Sequence, residues 1–255
     1  LASWDRRLAA DPGDLEALEA KSHLLAELGR HADRATTLAA RAALPLPPAV
    51  RRTDLVEIAR IQETELSDAS AAIGTWRGIA DEFGETNESV DALSRLYEAT
   101  QAHADKNELL DRASKRDAER AVQMLVRLAA LRAGPLGDVD SAARLYHEAI
   151  RLDPGHAGAR GGLATLLEVP SAKAGAVEGL AEAARRTDDV DALLGLLPNR
   201  LDAAGSDARG RVRLLREAAQ LEEQRRGDQA RAFEHVRDAF ALTPEDDALE
   251  REMMR

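Results

Sequence analysis

Cysteine is absent from this 255-residue chain, which excludes disulfides, thiolate nucleophiles and cysteine-ligated zinc. The absence leaves the compartment open, with the cytoplasm slightly favoured. Aromatic residues make up only 3% of the chain and β-branched residues are few, so little favours strand. No apolar run approaches the roughly 18 residues of a membrane span. Positive charge is outweighed: 35 Lys and Arg stand against 46 Asp and Glu, a net charge of −11. That balance argues against a nucleic-acid binder, which needs clustered Lys and Arg for phosphate contacts. What remains abundant is alanine, leucine and arginine, a mixture that favours helix nearly everywhere.

Chemical motifs are missing too. There is no G-x4-G-K-[ST] phosphate loop. "GARGG" (158–162) is the most glycine-dense stretch, but no strand precedes it and no lysine follows, so it reads as close helix packing. Histidines 23, 31, 103, 147, 156 and 235 are scattered, without H-E-x-x-H or an i, i+4 pair, and predict surface or interlayer residues rather than metal ligands. "TDDVD" (187–191) lacks the glycine and distal glutamate of a calcium loop and reads as an acidic helix start. Arg226-Gly227-Asp228 spells an adhesion tripeptide but sits at a Gly-Asp turn. Carboxylates alternate with arginines at i, i+4 in stretches such as "LREAAQLEEQRRGD", the pattern of a solvated face rather than of a paired acid and base. No catalytic residue, metal site or cofactor is expected.

Periodicity is the positive signal. In "LGDVDSAARLYHEAIRLDPGHAGA" (136–159), Asp138 is placed to cap a helix, and Asp153-Pro154 ends it. Val139, Ala142, Tyr146, Ala149 and Ile150 form one apolar stripe. The same frame recurs in "SDASAAIGTWRGIADEFG" (67–84) and "GDQARAFEHVRDAFALTP" (227–244). Alanine follows the Asp by four residues at 72, 142 and 232, and a large apolar residue follows four later at Trp76, Tyr146 and Val236. Upstream, Leu55, Leu125 and Leu215 align, as do Ala59, Ala129 and Ala219, small residues that allow close helix approach. The spans 48–84, 118–154 and 208–244 therefore read as three gapless copies of one helical hairpin. Looser copies start after Pro12, Gly84 and Pro154, and an irregular insert within 155–207 carries Pro170 and Pro198, predicting an extra or distorted hairpin.

A small residue in the first helix, then Ala-x3-aromatic and a closing proline in the second, resembles the tetratricopeptide repeat (TPR) pattern. "SVDALSRLY" (89–97) and "SAARLYHEAIRLDPGHAGA" (141–159) match best, in the manner of bacterial arrays rich in Ala, Leu and Arg. The chain departs from the pattern where a late first-helix tyrosine is expected: Gln62, Arg132 and Glu222 stand there. The resemblance implies an all-α, right-handed α-solenoid of stacked antiparallel hairpins, six or seven in number, over 1–255. It further implies a scaffold or adaptor that binds a protein or peptide on a concave face lined by the first helices. Five residues are then placed to form a basic ladder on that face: Lys21, Arg95, Arg127, Arg160 and Arg216. Trp4, Trp76 and Tyr146 are expected to fill equivalent gaps between layers.

The opening at Leu1, inside what reads as a helix, gives the expectation of a fragment or processed product whose targeting signal has been lost. The alternative function is a regulatory or assembly segment of a larger multidomain protein, such as a signalling kinase or a subunit of a secretion or motility complex. Trp4 at one end, and Met253 and Met254 at the other, are the residues expected to make end-to-end contacts, because neither end reads as a solubilising cap.

Overall fold

The computed structural model describes residues 1–246, 249, 251 and 254. Among the described residues every regular element is helical, so the chain is all-α. It divides into two compact units, Leu1–Leu110 and Asp111–Arg255.

The first unit contains α1 (Ala2–Ala10), α2 (Leu15–Glu27), α3 (His31–Ala42), α4 (Pro48–Thr64), α5 (Ala69–Phe83) and α6 (Asn87–Ala99). The boundary falls within α7 (His103–Arg116). From α1 to α6 each helix packs on the next, and the short connections turn each one back along the last. The second unit contains α8 (Ala121–Ala133), α9 (Val139–Leu152), α10 (Ala157–Leu166), α11 (Lys173–Arg186), α12 (Val190–Gly195), α13 (Leu197–Ala203), α14 (Ala208–Leu221) and α15 (Gln229–Leu242). Here α8 pairs with α9, α10 with α11 and α14 with α15, while α9 also lies on α11 and α8 on α10. Such stacking of hairpin on hairpin gives each apolar stripe a neighbour to bury against.

One turn is built three times. Ser67, Gly137 and Gly227 occupy the left-handed region at φ 52°, 65° and 68°. The following aspartates cap the next helix: Asp68 accepts from the Ala71 amide at 2.9 Å, Asp138 from Ser141 at 3.2 Å and Asp228 from Arg231 at 3.0 Å. The amides of those aspartates donate back to the carbonyls of Gln62, Arg132 and Glu222 at 2.8, 2.7 and 2.9 Å. The Gly-Asp step thus has a backbone reason. Glycine supplies the left-handed turn, and aspartate satisfies an orphan amide of the new helix. Because the turns coincide, α4–α5, α8–α9 and α14–α15 correspond position for position, and they fall within 48–84, 118–154 and 208–244.

Small residues sit where helices meet. Ala59 and Ala129 are fully buried and Ala219 nearly so; Trp76 and Tyr146 are buried as well, Tyr146 in the same core cluster as Ala129. Within "GARGG", Gly162 meets the Tyr146 ring, Gly158 lies against Val126 and His156, and Gly161 faces open space. Trp4 differs from its counterparts: α1 buries no residue, and the Trp4 ring is only partly covered, with the Arg7 guanidinium 5.2 Å from its centroid.

The stretch after α11 is shorter and more bent. Asp189 caps α12 by accepting from the Ala192 amide at 3.0 Å, which makes "TDDVD" a helix start. At Leu196–Leu197 the chain breaks into α13, whose first turn holds Pro198, where a missing N–H costs nothing. In the last hairpin, α14 runs on through a π-helical turn, Glu222–Arg226. Glu222 is buried there, with Arg226 at 3.2 Å and Arg231 at 3.9 Å from its carboxylate.

Candidate functional site

Each member of the basic ladder has a definite setting. In the first unit Lys21 (α2) pairs with Asp5 (α1) at 2.7 Å, and the bond from Lys21 holds the Asp5 carboxyl below its ordinary value. Arg95 (α6) reaches back to Glu63 (α4) at 3.1 Å. In the second unit Arg160 (α10) meets Asp189, the cap of α12, at 3.3 Å. These three side chains tie one helix to another. Arg127 (α8) is half-buried beside Met124, its guanidinium 4.0 Å from the sulfur. Arg216 (α14) is exposed and lines an open groove.

That groove, of about 720 Å³, lies along α14, the π-helical turn and α15. Its floor is apolar, made by Ala219, Ala232, Val236 and the half-exposed ring of Phe233. Its α14 wall carries Arg213, Arg216 and Gln220. Arg209, Arg213 and Arg216 are spaced i, i+4, i+7 and so form one basic ridge on α14. All three are exposed, and Arg213 has no partner among the described residues. Two carboxylates, Glu217 and Glu223, line the same groove, and Glu217 accepts from Arg185 at 3.1 Å and from Arg200 at 2.5 Å. Burial pushes the Glu217 carboxyl up, but the two arginine bonds outweigh it and leave the group below its ordinary value.

Of the sequence candidates, Arg216 alone lines this groove; Arg213 and Phe233 were not singled out from sequence. A signal for both existed in the repeat frame. Phe233 stands where α9 has Ala143 and α5 has Ile73, and Arg213 where α8 has Gln123 and α4 has Thr53.

Chemistry of other kinds is weakly represented. His147 and Glu182 approach to 2.6 Å between α9 and α11, and His156 caps α10 by accepting from the Ala159 amide at 3.2 Å. Both histidines therefore have structural work. Among the described residues no three His, Asp or Glu side chains converge as a metal site, and no helix is long and apolar enough to cross a membrane. Of the residues expected at the chain ends, Met254 is exposed and Met253 lies outside the described residues.

No protein-family model matches the chain, and no curated protein matches it. Solved structures do align with it. A tetratricopeptide repeat protein from Parabacteroides merdae is 13% identical over 94% of this chain and 97% of its own, with a TM-score of 0.48. Yeast Tom70 is 13% identical over 98% of this chain and 55% of its own, with a TM-score of 0.36. In the Cut9–Hcn1 hetero-tetramer structure of the APC/C, the matched chain is 14% identical over 100% of this chain and 51% of its own, with a TM-score of 0.39. The chain's own geometry is that of an all-α protein built from successive helical hairpins packed on one another.

Proposed function

We propose that the chain is a protein-interaction scaffold that holds a protein or peptide partner on its helical-hairpin surface and performs no catalysis of its own. The observation that carries this reading is the open groove on α14–α15, where the apolar Ala219, Ala232, Phe233 and Val236 are flanked by Arg213, Arg216, Glu217, Glu223 and glutamines. Repeat architectures supply extended surfaces of this kind and seldom supply chemistry. The basic ladder enters the proposal unevenly. A partner's carboxylates would have to displace Asp5, Glu63 and Asp189 to reach Lys21, Arg95 and Arg160, whereas Arg213, beside Arg216 on the groove wall, has no partner among the described residues.

Service as an assembly segment of a larger protein is the second reading, favoured by the same open face, since helix-on-helix stacking is how assemblies of repeats grow. The test is differential capture. The immobilised chain is compared with a copy carrying Arg127→Glu and Arg216→Glu for proteins retained from a cell lysate and cross-linked in place. A partner held by the first and lost by the second supports the scaffold. Retention of nothing specific by either overturns it.

A further inference from the structure

An insert separates two helices whose counterparts lie directly on one another. α2 follows Asp11-Pro12-Gly13 and α10 follows Asp153-Pro154-Gly155, two copies of one turn in which the glycine amide donates to the aspartate at 2.9 and 3.0 Å. The next helices, α3 and α11, therefore correspond. From helix start to helix start, α3 leads to α4 in 17 residues, whereas α11 leads to α14 in 35. In the first unit α3 packs straight onto α4, and Ala35, Leu38, Ile58 and Ile61 make the seam apolar. In the second unit α12 and α13, of six and seven residues, come between α11 and α14.

The insert divides by what each of its helices packs on. Leu193 of α12 shares a cluster with Ala181 and Ala184 of α11. Leu197 of α13 shares another with Val212 and Leu215 of α14. Leu196 stands at the break, closing α12 and opening α13, with Pro198 just beyond it. Leu194 and Leu221 reach across the division.

Charge spans the same division four times. Lys173 of α11 pairs with Asp202 of α13, and Arg185 of α11 meets Glu217 of α14 at 3.1 Å. Asp188 takes both guanidinium nitrogens of Arg225 at 2.8 and 2.5 Å, and Asp191 meets Arg226 at 2.9 Å. Asp188, Asp191, Asp202, Arg225 and Arg226 are all exposed. Exposed pairs are weak singly and are screened by salt. A polar seam of this kind resists rotation far less than an apolar one.

We propose that Leu196–Pro198 is a hinge, at which α13, α14 and α15 swing as one body against α8–α12, and that the four ion pairs hold it closed. Its angle then answers to salt and to any charged partner that competes for those side chains. This goes beyond the scaffold reading and does not depend on it.

Spin labels test the hinge, because the chain has no cysteine of its own. Ala164→Cys in α10 with Ala241→Cys in α15 spans it, and Ala130→Cys in α8 with Ala164→Cys stays on one side; all three alanines are exposed. Distances are read by double electron–electron resonance on the full chain. On going from low salt to about 1 M, where screening acts within about 3 Å, the spanning distribution should broaden about twofold and the control should not change. Asp188→Asn with Asp191→Asn should give that broad distribution already at low salt, since asparagine keeps the left-handed backbone of residue 188. Lys173→Asp should widen it as well, and Lys173→Asp with Asp202→Lys should narrow it again. A spanning distribution indifferent to salt and to these variants overturns the hinge. So does equal broadening of the control pair, or a fall in helical circular dichroism in step with the broadening, because either makes the change a loosening of the whole unit.

Discussion

Gly162 of α10 lies so close to Tyr146 of α9 that a Cβ at 162 would sit 2.2 Å from the ring's Cζ. The ring is buried, and it fixes how closely the α10 helix approaches α9. Gly162→Ala must therefore push the helices apart, which costs about 1–3 kcal/mol by the usual magnitude for overpacking. Gly161 provides the control, because a Cβ there meets nothing within 4 Å and the residue is helical. Gly161→Ala should be neutral or stabilising by up to about 1 kcal/mol. Urea denaturation of the two variants separates them. Equal midpoints would show that the Tyr146 contact is not tight.

The repeated turn makes a prediction of opposite signs at one structural position. Ser67 holds the left-handed conformation that Gly137 and Gly227 hold, and a Cβ there carries strain. Ser67→Gly should raise stability by up to about 1 kcal/mol, the relief of that strain less the entropy glycine adds to the unfolded chain. Gly137→Ala and Gly227→Ala should each lower it by about 1 kcal/mol. Both glycines face open space, so no clash confuses the reading. Denaturation midpoints that move together for all three variants would contradict a shared turn.

This turn also shows what was legible in the sequence and why. Gly-Asp steps, apolar stripes and the alanines at 59, 129 and 219 act locally, over three or four residues, so the pattern displays them directly. The partners of Lys21, Arg95 and Arg160 are a different matter. Asp5, Glu63 and Asp189 lie on other helices, and in a chain with 46 carboxylates nothing local says which one an arginine will meet. Stacking decides it. The groove lay between these cases, since Phe233 and Arg213 stood out only once each hairpin was compared with its sisters. The division after Leu110 has no local mark, as α7 runs through it without a break.

Asp54 is the most buried carboxylate of the first unit and is held by the guanidinium of Arg41, with Nε 2.9 Å from one oxygen and a second donor on the other. Arg41→Met leaves that carboxylate without its partner inside α4, and breaking such a pair costs about 3–5 kcal/mol. Arg41→Met combined with Asp54→Leu removes both charges and should recover most of the loss, because an apolar pair of similar size avoids the desolvation. Chemical denaturation of the single and double variants checks this. A double variant as weak as the single one would assign the loss to packing of the arginine stem.

Acid should weaken the chain in a window set by its paired carboxylates. The bond from His147 holds Glu182 low, that from Arg225 holds Asp188 low, and the arginine bonds hold Glu217 low against its burial. A carboxyl whose folded-state value lies below its unfolded one binds its proton more readily in the unfolded chain. Its contribution is full above the ordinary carboxylate pKa of about 4 and is lost as pH falls through the lower folded-state value. Stability measured by urea denaturation should thus stay nearly level from pH 7 down to about 5 and drop steeply below about 4. Arg200→Met should remove part of that acid-side slope, since Glu217 then loses one of the two bonds that hold its value down. An unchanged acid limb in this variant would show that Glu217 is held low by Arg185 alone.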